Sequence, residues 1–111
     1  MPNLRPNLGE FEHLVLATAL RLKGQGYGAT LVRELEERTG RQVLGGALYA
    51  TLDRLEAKGY LVSRMGEPDP VRGGRPKRFV EVTPAGVRAL AEQREALLRV
   101  WEGLESILEQ A

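Results

Sequence analysis

The sequence predicts a mainly α, α+β fold: a winged helix-turn-helix with a two-stranded wing and a long C-terminal dimerisation helix. Three observations predict it. Three short helical patterns arrive within the first sixty residues, with a tight link before the third. Two strand-like runs follow, separated by a stretch rich in proline and glycine. A final helical pattern then carries apolar residues at heptad spacing almost to the last residue.

The first helix is expected over residues 9–23. Phe11, Leu14, Val15, Leu16, Ala19, Leu20 and Leu22 form more than one stripe, so it is apolar around most of its girth. Such a helix is buried on two sides, in a core or in a core plus a subunit interface. Gly24 and Gly26 end it. A second helix over 29–38 has Leu31, Val32 and Leu35 as its core stripe, and Gly40 closes it as a left-handed cap. The link 41–45 leads to a third helix over 46–58, with Leu48, Leu52 and Leu55 facing the core and Gly59 as its stop. Residues 60–65 and 78–82 then read as paired strands, with the hairpin tip at 66–77. Thr83 is placed as an N-cap with Pro84 at the first helical position, where a missing N–H costs nothing. The last helix is expected to run unbroken to about residue 109, about 40 Å long. Its seam is Val87, Leu90, Leu97, Trp101, Leu104 and Leu108, with Arg94 filling one slot and Leu98 and Ile107 broadening it. On this reading residues 1–82 form the head and 83–111 the dimerisation helix.

Net charge is only +1, but it is unevenly spread. Residues 1–40 balance, 41–80 carry eight basic against four acidic side chains, and 81–111 carry three against six. A basic middle followed by an acidic end suggests that only the middle faces a polyanion, although a solvated surface can fluctuate this much by chance. Cysteine is absent, which removes disulfides, thiolate metal sites and cysteine nucleophiles. No apolar run approaches a bilayer span, and the N-terminal residues do not read as a signal peptide, so a cytoplasmic location without membrane association is expected.

Candidate binding residues gather on the third helix and the hairpin. Opposite the leucines lie Gly45, Gly46, Tyr49, Ala50 and Asp53. Small residues let a helix approach the major groove closely, and Tyr49 can reach a phosphate or a base edge. The blander alternative is that Gly46 and Ala47 serve tight helix packing, with Tyr49 half-buried. Arg41 and Gln42, just ahead of the helix, are further contact candidates. Between 72 and 78 the hairpin carries Arg72, Arg75, Lys77 and Arg78, with Gly73 and Gly74 between the first two. Four cations on a glycine-hinged loop can lie along a phosphate backbone or enter a minor groove, and a solubilising loop is the competing reading. For the C-terminal seam the choice is between packing on its own head and self-association. One helix cannot cover both its own stripe and the surplus girth of the first helix, so Phe11, Val15, Leu90, Leu97, Trp101, Leu104 and Leu108 are assigned to a dimer interface.

Catalysis finds little support. His13 is the only histidine and sits in an apolar helix, where a half-buried structural role is the ordinary one. No metal-ligand spacing or phosphate-cradling glycine motif follows a strand, and no cofactor is implied. The acidic groups Glu34, Glu36 and Glu37, and Glu102, Glu105 and Glu109, read as solvated helix faces.

The chain resembles the PadR-like transcriptional regulators. The strongest match is GALYATLDRLEAKGYL at 46–61, similar to the family's recognition-helix signature, supported by residues 14–40 and by RGGRPKRFVEVTPAG at 72–86. The single long helix after it matches the branch with a short tail. The resemblance implies a winged helix dimerised through its first and last helices, binding an inverted-repeat double-stranded DNA operator, usually to repress. It implies recognition-helix contact by Tyr49 and wing contact by Gly74 and Arg75. Some relatives bind aromatic or drug-like effectors between subunits; Trp101 alone does not establish such a pocket. One departure stands out: a small polar residue often precedes the recognition helix, and here Leu44 and Gly45 stand there. A winged-helix adaptor that binds protein rather than DNA is the alternative function.

Overall fold

The computed structural model describes residues 8–68 and 75–111. Helix α1, Glu10–Arg21, begins at Gly9, whose N–H donates to the Glu12 carboxylate at 2.8 Å. That contact satisfies one of the donors left open at the helix start. Val15, Leu16 and Ala19 are fully buried at the centre of the head. Helix α2, Gly28–Thr39, ends on Gly40 in the left-handed region, as its position requires. Helix α3, Gly45–Ala57, buries Leu48, Leu52 and Leu55 completely. The chain then turns at Gly59, also left-handed, into strand β1, Leu61–Met65.

Strand β2, Arg78–Val82, pairs antiparallel with β1, with Leu61 opposite Val82 and Met65 opposite Arg78. Val80, fully buried, also donates its N–H to the Gly26 carbonyl at 3.0 Å, which stitches the α1–α2 link to the sheet. Thr83 caps helix α4, Pro84–Trp101, by accepting from the Gly86 N–H at 3.1 Å, and its hydroxyl donates to the Gly59 carbonyl. Gly86 is obligatory there: a Cβ would lie 2.2 Å from the Tyr60 carbonyl oxygen.

The last helix differs from expectation. It stops at Trp101 instead of running to residue 109. Gly103 takes a φ of +88°, and a separate helix α5, Glu105–Glu109, follows. Glu102 leaves the helical region with a ψ of 125°, Gly103 supplies the positive φ that the turn needs, and the Leu104 N–H closes it on the Trp101 carbonyl. Leu104 and Leu108 therefore do not continue one straight seam with Trp101. Two other residues assigned to the interface are already used. Val15 has no exposed surface and Leu90 is only 8% exposed, so both belong to the core of the head. The first helix spends part of its girth within the chain and leaves Leu20 exposed.

Candidate nucleic-acid interface

The start of α3 is open. A Cβ added at Gly45 or Gly46 would meet nothing within 4 Å, so these glycines do not serve packing within the chain. Leu44, the N-cap, is exposed and supplies no side-chain bond to the first turn, the consequence expected of an apolar residue there. Glu36 instead organises the approach: its carboxylate accepts from the Val43 N–H at 2.9 Å. It is not a solvated face residue. Glu34 does pair on the surface, with Arg38.

Tyr49 is 48% exposed and lies across the start of α2, where its hydroxyl approaches Gly28 so closely that a Cβ there would be 2.3 Å away. Lys77 reaches the same place from the wing, with its Nζ 4.5 Å from the centre of the Tyr27 ring. Tyr27 meets Phe79 edge-on at 5.5 Å, and Arg64 lies over the other ring at 4.5 Å and donates to the Gly24 carbonyl. A cation–aromatic–aromatic–cation stack thus binds the wing root to the α1–α2 link. The recognition-helix tyrosine and a wing lysine converge on two consecutive residues, Tyr27 and Gly28.

The remaining candidates divide. Arg75 and Gln42 are exposed. Arg72 and Gly74 lie outside the described residues. Arg41 pairs with Glu10 at 2.8 Å, an exposed bridge that water readily competes for. Arg78 departs most from expectation. It is turned inward, with its guanidinium on Asp53, Glu56 and Ser63.

Behind the interface, Glu12 anchors α3 to α1. Its carboxylate, almost wholly buried, accepts from Lys58 Nζ at 2.9 and 2.8 Å, with Arg54 at 3.8 Å. Burial pushes its proton affinity up, but the Lys58 bonds, the Gly9 N–H and the two cationic charges outweigh that. They hold the carboxyl below its ordinary range. His13 is half-buried and bonds Gln93, which in turn donates to the Leu8 carbonyl, tying α1 to α4.

The model of the transcriptional regulator PadR-like family matches residues 15–92, most of the chain. The chain belongs to the PadR-like family. It is similar to the transcriptional regulator Rv3488 of Mycobacterium tuberculosis, 49% identical over 71 residues, which is 64% of this chain and 62% of that protein. It thus spans less than two thirds of that relative's length. Its fold is similar to a PadR family transcriptional regulator of Eggerthella lenta at a TM-score of 0.69 and 26% identity, covering 92% of this chain and 88% of that one. It is also similar to a PadR-like regulator of Bacillus cereus at 0.69 and 18%, covering 88% and 90%. The chain has the winged-helix fold of the PadR-like family, a family of transcriptional regulators. Among the described residues no helix is long and apolar enough to cross a membrane.

Proposed function

We propose that this PadR-family protein binds an inverted-repeat DNA operator in the cytoplasm as a homodimer and represses transcription there. The observation that carries the reading is the open, small-residue start of α3, with Tyr49 against Gly28, Lys77 over the ring of the preceding Tyr27, and Arg75 exposed before β2. An open helix start can enter the major groove, while the wing follows the adjacent backbone or minor groove. Gly46, Tyr49, Gln42, Arg75 and Lys77 take the DNA contacts, and Arg41 is freed for one when its surface bridge opens. Residues 1–82 act as the head and 83–111 as the dimerisation segment. The repressing sense follows the usual behaviour of the family.

The dimer is supported by apolar surface. Leu97, Leu98, Val100, Trp101, Leu104, Ile107 and Leu108 are each more than 40% exposed, too much contiguous apolar area for a solitary soluble protein. An open groove of about 470 Å³ on the head, lined by Leu14, Ala17, Leu20 and Leu35, offers a second copy's arm a seat. An aromatic or drug-like effector would meet Trp101 in this seam, but the seam is explained without one.

The test is binding to random duplex DNA across salt concentrations, followed by selection of bound sequences from a random pool. Arg75→Ala is expected to weaken binding and to lower the salt slope by about one ion. A wild-type protein that ignores DNA even in dilute salt overturns the reading and leaves the adaptor function.

A further inference from the structure

Asp53 and Glu56 stand on the outward side of the recognition helix, 71% and 43% exposed, beside the surface assigned to DNA. Two carboxylates at that place oppose phosphate. Both are met by a single side chain from the first residue of β2. Arg78 donates through Nη1 to Asp53 Oδ1 at 2.9 Å and through Nε to Ser63 Oγ at 2.8 Å, and its Nη2 is 3.6 Å from Glu56 Oε2. The Ser63 hydroxyl passes its own proton toward Glu56 Oε1, so the four groups close into one network across α3, β1 and β2. The Arg78 side chain is only 22% exposed. A planar guanidinium with a fixed fork suits this task, since three partners are engaged at set angles, which a lysine point charge could not do.

We propose that Arg78 is a positioning residue, an internal counter-ion that neutralises the recognition-helix carboxylates Asp53 and Glu56 and locks the wing root onto α3, and is not a phosphate contact. The proposal rests on the DNA-binding reading above. Of the wing cations the structure describes, Arg75 and Lys77 are then exposed to a phosphate, Lys77 while lying over Tyr27, and Arg78 is held by its own chain. The network also sets the distance between wing and helix, because its ties run from β1 and β2 to the outward side of α3. Removing Arg78 therefore does two things at once. It exposes two negative charges to the DNA, and it loosens the wing.

The deciding experiment measures the loss caused by Arg78→Gln in two backgrounds, wild type and Asp53→Asn/Glu56→Gln, on random duplex DNA at several salt concentrations. Melting of each variant checks that it folds. In the wild-type background R78Q is expected to lose about tenfold in affinity, the penalty of like charges placed opposite each other. In the neutralised background the loss is expected to shrink to less than about twofold, because no carboxylate is left to neutralise and the ionic ties that lock the wing to α3 are already broken. A direct phosphate contact gives the opposite pattern: the same loss in both backgrounds, with the salt slope lowered by about one in each. That result overturns the proposal, as does a wild-type background in which R78Q costs nothing. If R78Q alone fails to fold, the triple variant against D53N/E56Q still decides. Equal affinity of those two supports the proposal, and a loss with a lowered salt slope overturns it. Wild-type protein that does not bind DNA overturns the DNA reading and this inference with it; binding with equal losses overturns this inference alone.

Discussion

Gly28 has no room for a side chain, and what occupies the space is the Tyr49 hydroxyl. That obstacle is the far end of a half-exposed side chain, which can swing aside as a backbone atom could not. Gly28→Ala is therefore expected to displace Tyr49 without unfolding the protein. Its melting temperature should stay within a few degrees of wild type, and affinity for duplex DNA should fall by about tenfold, the worth of one well-placed groove contact. Wild-type affinity in G28A would show that the position of Tyr49 does not matter to binding. Glu12 carries a prediction of a different kind. Its folded-state proton affinity lies below the ordinary value of 4.5, so the unfolded chain takes up the proton first as pH falls. The stability it contributes is fully present above about pH 4.5 and is lost as pH drops through the lowered folded value. Glu12→Gln should cost about 2 kcal/mol at neutral pH, since it breaks charged hydrogen bonds to Lys58. Acid titration of thermal stability should then show the gap between E12Q and wild type closing below pH 4.5. A gap that stays constant down to strong acid would mean that the carboxylate charge is not what holds α3 to α1.

At the level of elements, α4 and α5 are separated by a tight turn in which Glu102 takes a ψ of 125° and Gly103 a φ of +88°. Left-handed φ costs a residue with a Cβ about 1–2 kcal/mol, and alanine is the best helix former. Gly103→Ala should remove the break, join α4 to α5 and raise helix content by about the three residues 102–104, read by far-UV circular dichroism. Unchanged helicity with lowered stability would instead show that contacts of the tail maintain the break. The same glycine marks the boundary of what the sequence makes legible. The periodicity of Leu48, Leu52 and Leu55 reveals α3 because a buried stripe repeats locally, and Gly40, Gly59, Thr83 and Pro84 mark boundaries because each cap is a local chemical requirement. Gly103 fits a heptad pattern and a helix stop equally well, and only the observed backbone separates them. Arg78 was out of reach for another reason. It meets Asp53 from 25 residues away, and a run of cations looks the same whether its members face DNA or their own chain. Val15 shows the converse, for an apolar residue on a helix with excess girth does not reveal whether its neighbour is its own core or a second copy.

The whole molecule is less compact than its length requires. Its radius of gyration is 16.1 Å, against about 13 Å for a compact chain of this size. The second half of α4 with α5 exposes apolar side chains along its length. In a two-fold dimer every substitution on such an arm appears twice, so one buried charge counts double. Leu97→Glu, on the arm and clear of the head's core, is expected to raise the dimer dissociation constant at least about a hundredfold, read by sedimentation. Trp101, the single tryptophan and half-exposed in one chain, gives an internal readout. Its emission should be blue-shifted in concentrated wild-type protein and move to the red on dilution, while L97E should be red at every concentration. Because two heads must span about one DNA turn of roughly 34 Å, L97E should also lose affinity for a two-half-site operator while keeping the wild-type salt slope per head on random DNA. A wild-type protein that sediments as a monomer at high concentration, with Trp101 emission insensitive to dilution, would leave the arm to a different partner and remove the dimer from the DNA-binding proposal.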